Sequence, residues 1–202
     1  MISINNHLWP VAELCRKELI MTIPTQTLIT DLKQILEQQK EQATAFLELP
    51  DAVLNWRATA ESWSVLECLQ HLNLYGHFYL PEIGKAINGS RHAASETFKS
   101  GWLGNYFANS MLPKAKLNKM KTFKAMNPIH SNLDKTVIEE YIQQQTQLTD
   151  LLLRAEKINL MKTKTGISIS KLVRLRLGDT FRFVLNHEIR HMQQAMRCLQ
   201  QQ

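Results

Sequence analysis

The chain has 202 residues, which favours one domain with a full hydrophobic core over two smaller domains. Hydrophobic residues make up 44% and charged residues 21%, with only 7 Gly and 6 Pro, a composition that favours helices and disfavours long disordered tracts. The net charge of +6 comes partly from two basic segments, Lys114 to Lys124 and Lys162 to Arg176. Phe123 is the single aromatic residue in them, so we interpret both as solvated surface and expect no nucleic-acid partner.

Residues 1–20 do not have the pattern of a secretory signal, because Glu13, Arg16 and Lys17 interrupt the apolar stretch that a signal needs. A segment with the pattern of an ordinary domain start begins at Met21. We therefore predict an N-terminal extension over residues 1–20 and one domain over residues 21–202. No run of about 18 apolar residues is present, so we expect no membrane-spanning segment and no membrane partner.

The cysteines are far apart and in no C-x-x-C arrangement: Cys15, Cys68 and Cys198. An odd number without that spacing predicts neither a disulfide framework nor a thiolate zinc site. Because unpaired cysteines are usual in a reducing compartment, the predicted location is the cytoplasm.

Helical periodicity marks four long segments. The first runs from Thr25 to Leu47, with apolar residues three and four apart, and ends before Pro50. The second begins at Ser64, which forms a predicted capping box with Glu67, the residue three positions later. Pro81 predicts either a kink in the last part of this helix or its end.

The segment from Gly89 to Asn132 has weak periodicity, apart from a short predicted helix from Gly101 to Met111. A third long helix is predicted from Leu133 to Ala155, and a fourth continues to about Gln200 with Asp179 as its N-cap. The sequence therefore predicts an all-α fold, a four-helix bundle with a long crossover between its second and third helices. Such bundles build metal sites from side chains that face the interior.

The predicted fourth helix contains the pattern H-E-x-x-H in the segment NHEIRH, residues 186–191. On a helix, His187 and His191 lie about 40° apart and one turn from each other, so both imidazoles can reach one metal ion. In a zinc protease, Glu188 would be the general base and a further ligand would follow downstream. Only MQQAMRCLQQQ follows, without Asp, Glu or His, which disfavours a protease.

A third ligand is available in the predicted second helix, where His71 lies on a stripe that is mostly interior. His77 is about 240° around the same helix from His71, so the two cannot share a face. A single interior histidine is more often a hydrogen-bonded core residue than a metal ligand. Histidine pairs four residues apart also occur by chance on helix surfaces. The fourth helix is apolar on both sides of its pair, however, so at least one of these histidines faces inward, and a shared metal ion would satisfy it.

Three imidazoles with an open position are typical of a catalytic rather than a structural metal site. Imidazole suits zinc, nickel, iron and other divalent ions, so the donor set leaves the identity of the metal open.

The segment WSVLECLQHL, its spacing to NHEIRHMQQ and the LGDTF start of the last helix resemble the DinB-like superfamily of four-helix bundles, over about residues 25–200. That superfamily includes thiol-dependent S-transferases and mycothiol-dependent isomerases. Its members bind a divalent metal with one histidine of the second helix and two of the last. The resemblance implies that His71, His187 and His191 hold a zinc, nickel, iron or manganese ion, and that Glu188 need not touch it.

The resemblance further implies an enzyme that acts on a small-molecule substrate, either a transferase that uses a low-molecular-weight thiol or a hydrolase. Glu67 and Tyr75, one turn before and one turn after His71, are the candidate catalytic residues, as supports for a ligand or as proton-transfer groups. The capping box also explains Glu67, and core packing also explains Tyr75. The alternative is a non-catalytic, stress-related protein that binds the metal. By family analogy we expect a homodimer.

Overall fold

A computed structural model of the protein describes residues 21–113 and 122–202. In chain order the elements are β1 (Thr22–Pro24), α1 (Thr25–Phe46), α2 (Asp51–Leu54), α3 (Val65–Asn88), β2 (Thr97–Lys99), α4 (Trp102–Met111), a 3-10 helix (Lys124–Met126), α5 (Thr136–Ala155), β3 (Lys164–Ile167), β4 (Ser170–Arg176) and α6 (Leu177–Gln200). The predicted extension over residues 1–20 and residues 114–121 of the first basic segment lie outside the described residues.

The four long helices α1, α3, α5 and α6 form the predicted bundle, in which α1 and α3 each pack against both α5 and α6. The predominantly helical structure confirms the all-α fold. The second predicted helix continues through Pro81 and ends at Asn88, and the third begins at Thr136, three residues later than predicted. The short helix predicted before Met111 is α4.

Each long helix contributes to two separate groups of buried apolar side chains. The first apolar cluster includes Leu28, Leu36, Tyr79, Leu152 and Phe181. The second apolar cluster includes Phe46, Leu66, Leu69, Ile138 and Met192. Helices α1 and α6 begin in the first cluster, and α3 and α5 begin in the second.

The start of α3 has the predicted capping box. The Ser64 hydroxyl accepts a hydrogen bond from the backbone N–H of Glu67 at 3.2 Å, and the Glu67 carboxylate accepts one from the backbone N–H of Ser64 at 2.8 Å. Two amides of the first turn that have no partner within the helix are thereby satisfied. The capping box fixes where α3 begins, and therefore where His71 lies along it.

The prediction that Asp179 caps the last helix is wrong. Strand β4 runs directly into α6, which begins at Leu177 with Arg176 at its N-cap and no side-chain cap. Asp179 lies in the first turn instead, where its carboxylate accepts hydrogen bonds from the Ser100 hydroxyl and, at 2.8 Å, from the backbone N–H of Gly101. A carboxylate is favourable anywhere in the first turn of a helix, and here it also ties α4 to α6.

Two small antiparallel sheets were not predicted. Strand β1 pairs with β2, with Ile23 opposite Phe98, and β3 pairs with β4, with Thr165 opposite Leu175. The β4 sequence does alternate, because Leu175 is buried between the outward-facing Arg174 and Arg176. The basic residues of this segment predict solvated surface instead, and the strands are short and flanked by strong helical signals.

Helix α4 packs so closely on α6 that position 104 has no room for a side chain. A Cβ atom at Gly104 would lie 2.5 Å from the Cβ and Cγ atoms of Asp179, which is fully buried. We expect Gly104→Ala to lower the free energy of unfolding by about 1–3 kcal/mol, measured by urea denaturation. Gly84→Ala is the control, because its Cβ would meet only Leu151 Cδ2 at 3.6 Å. Equal stability of the two variants would contradict this packing.

No helix in residues 21–113 or 122–202 has the length and apolar character needed to cross a membrane.

Candidate metal centre

Buried polar side chains interrupt the core where the two apolar clusters meet. All four long helices contribute to this polar zone, which comprises Gln39, His71, Asn73, Gln144, Gln145, His187, Glu188 and His191. Buried polar groups are costly unless they have partners, so the zone is where a ligand or a specific network is expected.

The three predicted ligands come together in the polar zone. His71 projects from α3, and His187 and His191 project from successive turns of α6. Their ligand nitrogens lie within 4.8 Å of one another, and Nε2 of His71 lies 3.2 Å from Nε2 of His187. The residues are 2%, 7% and 9% exposed, respectively. The three imidazoles therefore form a compact, nearly water-free group.

Burial keeps these imidazoles neutral. It lowers the pKa of His71 to about 4 and the pKa values of His187 and His191 well below the usual range, and the mutual proximity of the three rings lowers the latter two further. Neutral imidazole is the form that binds a metal. The donor set fits a divalent ion such as zinc, nickel or iron, since three buried nitrogens converge with no ring charge to neutralise.

Aromatic rings enclose the histidines on several sides. The Trp63 ring lies 4.7 Å from the His71 ring and stacks on the His191 ring at 5.5 Å. The Tyr75 ring lies 4.9 Å from that of His71 and 4.6 Å from that of His187, and Phe183 stacks on His187 at 6.2 Å. The sequence reasoning missed Trp63 and Phe183 as site residues. Their positions in the sequence could have identified them, since Trp63 directly precedes the capping box and Phe183 lies one turn before His187.

A model of the DinB superfamily matches residues 34–195 of the chain. The chain belongs to the DinB superfamily. This finding confirms the resemblance drawn from the helix-two and helix-four motifs, and the matched range contains all three histidines. No curated protein and no solved structure matches the chain.

Glu67 of this DinB-superfamily protein is fully buried and meets several donors. Oε1 accepts hydrogen bonds from Arg57 Nη2 at 2.7 Å and the His130 backbone N–H at 2.6 Å, while Oε2 accepts from Arg57 Nε at 2.8 Å as well as from Ser64. Burial alone would raise the pKa of Glu67, but these bonds outweigh it and lower the pKa. The carboxylate is therefore held as an anion by its neighbours.

Glu188, the general base of the disfavoured protease hypothesis, points toward α5. Its Oε1 accepts a hydrogen bond from Gln145 Nε2 at 3.2 Å, and burial raises the pKa of its carboxyl group to about 8. It is not a member of the three-histidine group. A carboxyl group that burial keeps neutral does not supply the ionised base that a protease site needs next to its metal.

The other histidines in the described part of the chain lie outside this group. His77 pairs with Glu140 at 2.5 Å on the α3–α5 surface. His130 contributes its backbone N–H to Glu67, with a positive φ of 64°.

A small cavity of about 10 Å³ lies beside His187. Its lining is mostly apolar and aromatic: Leu72, Tyr75, Gly76, Tyr79, Phe183, Val184, His187 and Glu188. This volume is close to the minimum that one water molecule requires. The cavity is too small to hold a larger molecule. Trp63 and Tyr75 are the partly exposed rings next to the histidines.

Proposed function

We propose that this DinB-superfamily protein is a metal-dependent enzyme that transfers a small nucleophile, a low-molecular-weight thiol or water, to a small electrophilic substrate. The observation that carries the proposal is the convergence of three buried, neutral imidazoles on one point. A divalent zinc, nickel, iron or manganese ion bound there supplies Lewis acidity and lowers the pKa of the thiol or water. His71, His187 and His191 would hold it.

The surrounding rings support a role in catalysis. Phe183 and Trp63 cover the imidazoles and exclude water, which strengthens electrostatic interactions inside the site. Burial and the neighbouring Tyr79 raise the pKa of Tyr75, so its hydroxyl keeps its proton at neutral pH. In our proposal Tyr75 donates that proton to the substrate, while Glu67, which already accepts several hydrogen bonds, supports the ligands and transfers no proton.

Turnover of a model electrophile by the protein, with a small thiol or with water alone, tests the proposal. We expect a rate above background when zinc, nickel, iron or manganese is added to the metal-free protein, and loss of that rate on chelation. Metal binding without a rate for any of these ions would instead support the alternative, a non-catalytic metal-binding protein. The homodimer and the cytoplasmic location stay predictions.

If Tyr75 donates a proton, Tyr75→Phe keeps the ring packing and removes only the hydroxyl. We expect kcat to fall by about 10²- to 10⁴-fold, which is the usual contribution of a positioned acid, with unchanged metal content. Tyr106→Phe is the control, because Tyr106 lies on α4 and is 63% exposed. Equal kcat values for the two variants would remove Tyr75 from the mechanism.

A further inference from the structure

The outer nitrogen of His71 has a defined partner. Nδ1 lies 2.6 Å from the backbone carbonyl oxygen of Met126, at the end of the 3-10 helix. A carbonyl oxygen can only accept a hydrogen bond, so Nδ1 of a neutral His71 must carry the ring proton. Nε2 then presents a lone pair to the position where His187 and His191 converge.

The tautomer of His71 also determines that of His187. Their Nε2 atoms lie 3.2 Å apart, and one of the two must donate the hydrogen bond. Because Nε2 of His71 has no proton, Nε2 of His187 donates in the metal-free protein. The tautomers of both His71 and His187 are thus set by one backbone carbonyl, that of Met126, which lies 55 residues from His71 along the chain.

The carbonyl of Met126 is held in place by a second contact between the same two segments. Glu67, one turn before His71 on α3, accepts the backbone N–H of His130, four residues after Met126. Arg57 donates two hydrogen bonds to Glu67, at 2.7 and 2.8 Å, and such bidentate pairs are strong and directional. Arg57 and Glu67 therefore clamp the segment that carries Met126 onto α3.

We propose that Arg57 and Glu67 are positioning residues for the metal centre: through His130 and Met126 they hold His71 as its Nδ1–H tautomer with Nε2 directed to the ion. The role in metal binding rests on the proposed function, whereas the tautomer of the metal-free protein does not. Groups that orient a metal ligand in this way typically contribute 10- to 100-fold to metal affinity.

The tautomers are measured directly by ¹⁵N–¹H correlation spectra of the histidine side chains in wild-type, metal-free protein. We expect His71 to carry its proton on Nδ1 and His187 on Nε2. A proton on Nε2 of His71, or an even mixture of both tautomers, overturns the proposal. Because the wild-type protein is used, this result does not depend on how any variant folds. If the tautomers are as expected but zinc does not bind, the proposed function fails and the tautomer assignment stands.

The clamp is tested by Arg57→Met, with Lys33→Met as the matched control. Lys33 forms another partly exposed ion pair, with Glu156. The side chains of Lys33 and Arg57 are 33% and 26% exposed, respectively. We expect Arg57→Met to bind zinc 10- to 100-fold more weakly in competition with a chelator, and its His71 to populate both tautomers. Lys33→Met should change neither property.

Arg57→Lys keeps the charge and loses the bidentate geometry, so we expect an intermediate zinc affinity. It also replaces Arg57→Met if that variant does not fold, as judged by circular dichroism. Zinc affinity within twofold of wild type, together with an unchanged His71 tautomer in a folded Arg57 variant, would show that the clamp does not position His71.

Discussion

The His187→Ala variant is expected to be purified without bound metal. His187 lies close to both of the other predicted ligands, with Nε2 3.2 Å from Nε2 of His71 and its ring 4.6 Å from that of His191. Its removal leaves two imidazoles on different helices, and we expect a loss of about 100-fold or more in affinity, since even a supporting group outside the ligands contributes 10- to 100-fold. Elemental analysis of the purified variant beside wild type measures the result.

The control for this prediction is His77→Ala, because His77 is a surface histidine of α3 paired with Glu140. It should retain the metal content of the wild type. Ligand binding stabilises a fold by mass action, so zinc at about 100 times the wild-type Kd should stabilise wild type and His77→Ala by roughly 2.7 kcal/mol, and His187→Ala by about 0.4 kcal/mol or less. Full metal content in both His71→Ala and His187→Ala would show that the three histidines do not form the site.

The three histidines could be predicted because helix geometry constrains them strongly. Positions 187 and 191 share a face on any straight helix, and the apolar residues around them decide that this face is interior. The capping box at Ser64 placed the start of α3, and hence the level of His71, from local sequence alone. Long, periodic elements with clear caps therefore carry most of the predictable information about this site.

The contacts that depend on backbone from distant segments could not be predicted. Met126 lies where the sequence has no periodicity, and its contribution is a carbonyl oxygen, which every residue possesses. The prediction that Asp179 is the N-cap is wrong for a related reason. A carboxylate stabilises the first turn from several positions, so the residue type does not specify which one it occupies, and the pairing of β3 with β4 set the helix start.

A second large effect, on the pH dependence of folding stability, is expected from the buried pair of Glu188 and Gln145. Gln145 Nε2 donates to Glu188 Oε1 at 3.2 Å, and the Tyr141 hydroxyl also interacts with the Glu188 carboxyl group. In the described part of the chain, Gln145 Oε1 and Glu188 Oε2 have no partner at ordinary hydrogen-bond distance and angle. A protonated Glu188 satisfies both atoms, because its hydroxyl can donate to Gln145 Oε1 and close a ring of two hydrogen bonds. Burial, which raises the pKa of Glu188 to about 8, favours this neutral form.

The raised pKa of Glu188 makes the folded protein more stable at low pH than at high pH. Between the ordinary pKa of 4.5 and about 8, the folded protein keeps the Glu188 proton and the unfolded chain has lost it. Stability from this group is therefore fully present below about pH 4.5, falls by about 1.4 kcal/mol per pH unit as the pH rises, and is lost above about pH 8. The total change is of the order of 4–5 kcal/mol.

Glu188→Gln should remove this pH dependence, because an amide pairs with Gln145 through the same two hydrogen bonds at every pH. We expect the stability of the metal-free variant, relative to metal-free wild type, to rise steadily between pH 4.5 and 8 and to be constant on either side. Urea denaturation at a series of pH values measures the difference, in which groups common to both proteins cancel. A difference that does not change between pH 5 and 8 would mean that Glu188 is ionised in the folded protein, and that the polar zone balances a buried charge in some other way.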